Sequence, residues 1–264
     1  MTAGDSGRSA FWAERARSFG SVAAEYAVLR PTYPPGLVDF LVDGHPSGGS
    51  GRRVLDVGAG TGLLTELLIA AGHEVVAVDP SPAMLEQLAS RLPDVATAVA
   101  SAEALPLPDG DVDVVTAAQA AHWFDPGPAA AEMARVLRPG GTVGLVWSLR
   151  DDRAPWVAGL SAILAAENVE RFRPATVAGA IARELDADVE TTESVFVQEA
   201  TPEDVVAGFA TRSYAAAMTE ERRAAFLGEI RELIATHPDT RGREVVELPH
   251  AVSAFRLTPR RAAA

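Results

Sequence analysis

Gly58, Gly60 and Gly62 lie in the run Val54-Leu55-Asp56-Val57-Gly58-Ala59-Gly60-Thr61-Gly62-Leu63-Leu64, and Asp79 follows the first of them by 79 − 58 = 21 residues. Without a Cβ, Gly58 and Gly60 let the backbone turn tightly and come close to a ligand. A carboxylate at that separation suits the tip of a second strand, where it accepts hydrogen bonds from the two hydroxyls of a ribose. A strand, a glycine turn, a helix, a strand and an acid together make a device for holding a nucleoside. The spacing is G-x-G-x-G. A dinucleotide fingerprint has its third glycine one place later, where this chain has Leu63, which argues against a nicotinamide-dependent dehydrogenase. The N–H groups at the start of the helix suit a carboxylate in place of a pyrophosphate. The competing reading is a tight turn with no ligand, and Asp79 weighs against it.

A second group is Ala120-Ala121-His122-Trp123-Phe124-Asp125. His122 has the side chain to take a proton from a nucleophile. Trp123 and Phe124 have faces that could meet a cation or wall a substrate. The alternative for His122 is a hydrogen-bonded histidine shaping a loop, and for the two aromatics it is packing. The other histidines, His45, His73, His237 and His250, have no metal spacing. Glu203-Asp204 and Glu220-Glu221 read as acids at helix N-termini.

These residues need elements to position them. The sequence predicts strands over 53–57, 74–79, 95–100, 112–117 and 142–148. Helices are predicted over 61–71, from Ser81 and Pro82 to about 92, and from Pro126 or Pro128 to about 138. Apolar strands alternating with helices mean a parallel sheet covered on both faces. Upstream, 10–29 and 36–42 read as helices and 45–51 as a loop. Downstream, 154–167 and 177–185 read as helices and 189–199 as a strand. Helices begin at Thr201 and at Thr219, and 245–257 closes the chain as a strand with a potential break at Pro249.

Composition bounds the function. The 264 residues are 48% hydrophobic, enough for a sizeable core, and include no cysteine. Disulfides, thiolate nucleophiles and cysteine-bound metals are therefore excluded. All 23 basic residues are arginine, which removes lysine Schiff-base chemistry and a P-loop lysine. A net charge of −13 argues against a nucleic acid partner. No apolar run is long enough to span a membrane, and residues 1–10 lack a signal core, so a cytoplasmic protein is the expectation.

Four stretches then carry a resemblance. They are Val54–Gly62, Val78-Asp79-Pro80-Ser81-Pro82-Ala83-Met84-Leu85, Ser101-Ala102-Glu103-Ala104-Leu105-Pro106-Leu107 and Arg135-Val136-Leu137-Arg138-Pro139-Gly140-Gly141. In order, they resemble the motifs of class I S-adenosylmethionine-dependent methyltransferases. The branch they look closest to holds the ubiquinone/menaquinone-biosynthesis and trans-aconitate methyltransferases. Phe19-Gly20 through Tyr26, with Arg30-Pro31-Thr32-Tyr33-Pro34, is similar to that branch's lead-in.

The resemblance implies roles by position. Gly58, Ala59 and Gly60 would underlie the methionine part of S-adenosylmethionine, and Asp56 would brace that loop. Asp79 would hold the ribose, and Pro80 and Met84 would flank the adenine. Ser101 and the backbone of Ala102 would meet the adenine edge, with Ser101 standing where many relatives have Asp. Gln119 would line the cofactor cleft. Tyr26 and Arg30 would close over the methionine end. For Arg30 a second reading stands beside that one, a surface arginine next to a proline turn.

The expected fold is α/β: a doubly wound, mostly parallel seven-stranded Rossmann-like sheet with a helical cap, its last two strands an antiparallel pair. The expected division is an N-terminal arm with cap helices (1–45), a cofactor-binding core (46–150) and a C-terminal half (151–264) with inserted cap helices at about 202–236. The expected function is methyl transfer from S-adenosylmethionine to an oxygen, nitrogen or carbon of a small molecule, giving S-adenosylhomocysteine, with His122 as candidate base and no metal. A monomer or homodimer is expected, without nucleic acid or stable membrane insertion. The alternatives are a catalytically silent protein that binds the cofactor or a partner, and an enzyme using the cofactor for other chemistry.

Overall fold

The computed structural model describes residues 33–34, 36–42, 51–167, 172–210 and 212–260. The helix expected over 10–29, together with Tyr26 and Arg30, lies outside these residues, as does most of the loop at 45–51. The helices are α1 (Leu37–Val42), α2 (Leu63–Ala70), α3 (Pro82–Arg91), α4 (Pro126–Val136), α5 (Pro155–Ala166), α6 (Pro174–Glu184), α7 (Pro202–Ala210), α8 (Ser213–Ala216) and α9 (Glu220–Thr236). The strands are β1 (Arg53–Val57), β2 (Glu74–Asp79), β3 (Ala96–Val99), β4 (Val112–Ala118), β5 (Leu137–Arg150), β6 (Ala187–Ala200) and β7 (Val246–Pro259), and a 3-10 turn spans Ala121–Trp123.

The strands form one seven-stranded sheet in the order β3-β2-β1-β4-β5-β7-β6. β1 pairs in parallel with β2 and β4, β2 with β3, and β4 with β5. β6 and β7 run in opposite directions. The Arg260 N–H donates to the Asp186 carbonyl at 3.0 Å, while Arg256, earlier in β7, pairs with Glu190, later in the chain, at 2.7 Å. Val54, Leu55, Ala77, Val78, Val114, Val115, Val143 and Leu145 are all buried, because helices cover both faces of the parallel strands.

The described residues group into two units. One holds 33–148, 172–194 and 252–260, with a core running from Leu55 and Val115 through Met133 and Trp147 to Ile181 and Leu257. The other holds 149–167 and 195–251, where α5, α7 and α9 enclose Leu160, Phe209, Phe226 and Ile230. Two predicted caps form there. The Thr201 hydroxyl accepts from the Asp204 N–H at 3.1 Å, and the Thr219 hydroxyl accepts from the Arg222 N–H at 3.3 Å.

Several boundaries differ from expectation for physical reasons. β5 starts at Leu137 rather than Thr142, because Leu137 still pairs with Val112 across a register irregularity. β7 continues through Pro249, whose carbonyl accepts from the Asp151 N–H at 2.9 Å. α8 has only 4 residues, too short to show a helical period. Ser81 is the N-cap of α3, as predicted, but its hydroxyl makes no capping bond and Pro82 opens the helix.

Candidate active site

The chain lays down β1, β2 and β3 outward and then returns to place β4 on the other side of β1. The strands are parallel, so their C-terminal ends share one edge. The strand order reverses there between β1 and β4, the usual ligand position in such sheets. The Gly58–Gly62 turn leaves β1 at this edge, Pro80 follows β2, Ser101 lies just past β3 and Gln119 follows β4.

Gly58 sits at φ 69°, and a Cβ there would lie 2.5 Å from the Ala120 Cβ. Only a glycine lets the loop after β1 come this close to the loop after β4. Gly60 also has positive φ, 56°, but a Cβ on it would meet nothing within 4 Å. Its missing side chain leaves open space, as a cradle for a ligand requires. The loop's own donors are largely engaged. Gly58 and Ala59 donate to the Val78 carbonyl at 2.8 and 3.0 Å, and Gly60 donates to Asp79 Oδ2 at 2.9 Å. Asp79 Oδ1 accepts from the Ser81 N–H at 2.8 Å. Asp79, only 8% exposed, thus clamps the glycine loop to the start of α3.

Asp56 is buried one step earlier on β1. It is in register with Thr116 on β4, so both side chains share a face. Thr116 donates to Asp56 Oδ1 at 3.2 Å, and Thr65, on α2, donates to Oδ2 at 2.7 Å. Burial pushes the Asp56 carboxyl up to about 6; the two threonine bonds pull it back and the Asp79 charge adds to the rise. Burial also raises Asp79, against the Ser81 and Gly60 N–H groups. The site therefore holds two buried carboxyls that favour a nearby positive charge.

Gln119 has φ 56°, in the left-handed region that a non-glycine residue seldom adopts. Its N–H donates to the Val146 carbonyl at 2.9 Å and its side-chain amide to the Ser148 carbonyl at 2.7 Å, so the bonds to β5 hold the strained residue in place. Three residues on, His122 is half-buried in the 3-10 turn. The Trp147 indole N–H donates to His122 Nδ1 at 3.2 Å. The Phe172 ring stacks on the imidazole at 4.2 Å and 12°, and Trp123 lies tilted at 4.4 Å.

The structure thus brings Asp56, Gly58, Ala59, Gly60, Asp79, Pro80, Ser101, Ala102, Gln119 and His122 to one edge of the sheet, with Met84 in the first turn of α3. Pro80 is exposed, Ser101 half-buried, and Met84 and Ala102 buried. Sequence reasoning missed Thr65, Thr116, Trp147 and Phe172. The threonines were accessible in principle, since Thr116 is the in-register neighbour of Asp56 once the strands are aligned. Nothing local marks Phe172, 172 − 122 = 50 residues from the ring it covers. Among the described residues, no group of three or more metal-ligating side chains forms, and no helix is long and apolar enough to cross a membrane.

Comparison with known proteins agrees with this architecture. The model of a methyltransferase domain family matches residues 55–145, from β1 to β5. An uncharacterized methyltransferase of Mycobacterium tuberculosis is 40% identical over 241 residues, covering 91% of this chain and 95% of the relative. The demethylmenaquinone methyltransferase of Renibacterium salmoninarum is 39% identical over 136 residues, covering 48% of this chain and 56% of the relative. Among solved structures, a provisionally named type II methyltransferase of Anaeromyxobacter dehalogenans aligns with a TM-score of 0.64 at 30% identity, covering 86% of this chain and 97% of that one. The chain belongs to the class I S-adenosylmethionine-dependent methyltransferases, and its relatives include the menaquinone type expected from its motifs.

Proposed function

We propose that the chain methylates a small-molecule acceptor at an oxygen, nitrogen or carbon, with S-adenosylmethionine held along the edge from Gly58 to Gln119. The observation that carries this is the pairing of an open, left-handed Gly60 with the Asp79 carboxylate that bonds to it. Each Asp79 oxygen uses one lone pair on a backbone N–H and keeps capacity for a ribose hydroxyl. Gly58 and Ala59 would lie under the methionine part, Pro80 and Met84 against the adenine, and Ser101 with Ala102 at its edge. Tyr26 and Arg30 would cover the methionine end. The two buried carboxyls, Asp56 and Asp79, suit a cationic ligand, and a cofactor that carries a sulfonium meets that requirement.

When bound, the cofactor supplies an electrophilic methyl group: an acceptor lone pair forms the new bond as the C–S pair returns to sulfur, leaving S-adenosylhomocysteine. The protein's own work is alignment and exclusion of water. The ranges 1–45, 46–150 and 151–264 stand as the proposed functional division, with acceptor selection assigned to the first and last. Calorimetric titration with S-adenosylhomocysteine tests the reading. Saturable binding, weakened in Asp79→Ala, is the expected result; no binding to the wild-type protein overturns it.

A further inference from the structure

We propose that Arg135, on α4, is the positioning residue for the adenine end of the cofactor site: it fixes the backbone of the loop from Ser101 to Asp109, and through that loop it sets the discrimination between adenine and other purines. The inference rests on the placement of S-adenosylmethionine proposed above and adds a specificity determinant to it.

The loop between β3 and β4 has no helix or strand of its own. Its leucines, Leu105 and Leu107, are buried in the main core, so the backbone beside them is withdrawn from water and needs partners. Pro106 and Pro108 have no N–H to offer. Two side chains on one face of α4, three residues apart, meet the need. Glu132 Oε2 accepts from the Leu105 N–H at 2.7 Å. Arg135 donates to the Leu105 and Leu107 carbonyls at 3.0 and 2.8 Å, to Asp109 Oδ1 at 2.8 Å, and to Glu132 Oε1 and Oε2 at 2.7 and 2.8 Å. A guanidinium has five N–H donors in one plane, and here each has an acceptor. The Arg135 hydrogen bonds hold the Glu132 carboxyl below its ordinary value, so the pair stays charged at neutral pH.

This clamp reaches the residues proposed for the base. Leu105 follows Ala104, whose N–H donates to the Ser101 carbonyl at 3.2 Å. On the other side, the Ala100 N–H donates to the Asp79 carbonyl at 3.2 Å. Asp79 is the proposed ribose ligand, and β3 is the neighbour of β2 on the side away from β1. With the methionine part on the loop after β1, a base attached to that ribose falls over the loop after β3. Glu103 adds a tie to the start of α4, its Oε1 accepting from the Asp125 N–H at 2.9 Å. Ser101 and Ala102 are thus held between an anchor on β2 and anchors on α4.

A fixed loop and a loose one differ in what they can recognise. Apolar contact with a purine face depends little on which groups the purine edge carries. Hydrogen bonds to that edge depend on the distance and direction of each partner. The adenine edge offers an amino donor and a ring-nitrogen acceptor. Hypoxanthine offers a carbonyl acceptor and an N–H donor in the same places. Discrimination between the two bases is therefore the property that Arg135 controls, apart from overall affinity. A lysine in its place keeps the charge, but it has no planar fork to serve two carbonyls and two carboxylates together.

The experiment measures, by calorimetry on the whole chain, the Kd of S-adenosylhomocysteine and of S-inosylhomocysteine, in which an oxo group replaces the adenine amino group. The wild-type protein should prefer the adenine ligand by about tenfold, the effect of an edge hydrogen bond made or lost. Arg135→Lys should bind S-adenosylhomocysteine about tenfold more weakly and S-inosylhomocysteine within about twofold of wild type, so that the preference collapses. Arg138→Gln, which removes an ion pair to Asp113 on β4 instead, should keep the preference and so separates the effect from a general loss of stability. If Arg135→Lys fails to fold, Glu132→Gln, which turns an amide donor toward Arg135 or the Leu105 N–H, must show the same collapse. No binding of S-adenosylhomocysteine to the wild-type protein overturns the cofactor reading and the proposal with it. Equal wild-type affinity for the two ligands, an unchanged preference in the clamp variant, or equal weakening of both ligands there overturns the proposal alone.

Discussion

The glycine loop and the His122 turn lie at the same edge of the sheet but are held by different means. The loop is fixed by backbone: its N–H groups bond to the Val78 carbonyl and to Asp79. The His122 turn also closes on backbone bonds, but its imidazole is fixed by side chains, through an indole hydrogen bond and a stacked phenyl ring. Backbone bonding depends on where a residue can turn and is insensitive to most neighbouring side chains. Side-chain packing depends on which residues arrive from elsewhere in the chain. The two regions should therefore respond to substitution in separate ways: the loop through cofactor affinity and folding, the turn through the packing of Trp147 and Phe172.

The largest expected effect is in Gly58→Ala. The new Cβ meets the Ala120 Cβ at 2.5 Å and the backbone stays at φ 69°. Overpacking and left-handed strain together cost about 2–5 kcal/mol. Urea unfolding should show that loss, and calorimetry should show cofactor binding abolished. Wild-type stability in this variant would mean that the two loops are free to separate, and the contrast drawn above would weaken.

Asp56→Asn tests the buried carboxyl. Burial pushes its pKa up to about 6 in the fold, from the ordinary aspartate value of 3.8. The folded chain therefore keeps a proton that the unfolded chain has lost. The stabilisation this gives is fully present below the unfolded value and disappears as pH rises through about 6, a change of about 3 kcal/mol. Urea midpoints of the cofactor-free protein at pH 4–7.5 should lose this downward component in the asparagine variant. An unchanged slope would assign the effect elsewhere.

Asp79→Ala leaves the Gly60 and Ser81 N–H groups without their acceptor, and about 2 kcal/mol of cofactor affinity should go, roughly thirtyfold in Kd. Gly60→Ala should cost only about 1 kcal/mol of stability, since its Cβ meets nothing within 4 Å and only the backbone is strained. Its cofactor affinity should nevertheless fall, because the new methyl occupies the open space. The smallest effect belongs to His122→Ala, whose Kd for S-adenosylhomocysteine should stay within about threefold of wild type, about 0.6 kcal/mol. A larger loss would show that the aromatic-held turn also serves the cofactor.

The same difference explains what could be read from the sequence. The strands from β1 to β4, the helices between them and the acid at Asp79 were legible because their signals are local: buried runs, glycines, a proline at a helix start. The 58/60/62 spacing, with the later motifs, pointed to the right family, and Leu63 spoke against the dehydrogenase. β5 was read too short because the Pro139-Gly140-Gly141 stretch looks like a loop, while pairing to Val112 keeps Leu137 in the sheet. Asp56 was expected to brace the glycine loop; its bonds run to Thr65 on the helix that follows the loop and to Thr116, and the second of these needs the β1–β4 register. The environment of His122 was illegible altogether. Trp147 lies 25 residues away and Phe172 50, so nothing near His122 in the sequence marks either contact.

The indole–imidazole contact also gives the molecule an internal light source. Of its four tryptophans, Trp147 is fully buried and hydrogen-bonded to a titratable ring. Indole emission responds to what its N–H meets, so Trp147 emission changes when the His122 turn moves away from it. The difference in emission between the wild-type protein and Trp147→Phe isolates that signal, and any ligand that moves the turn can be followed by fluorescence in real time without a label.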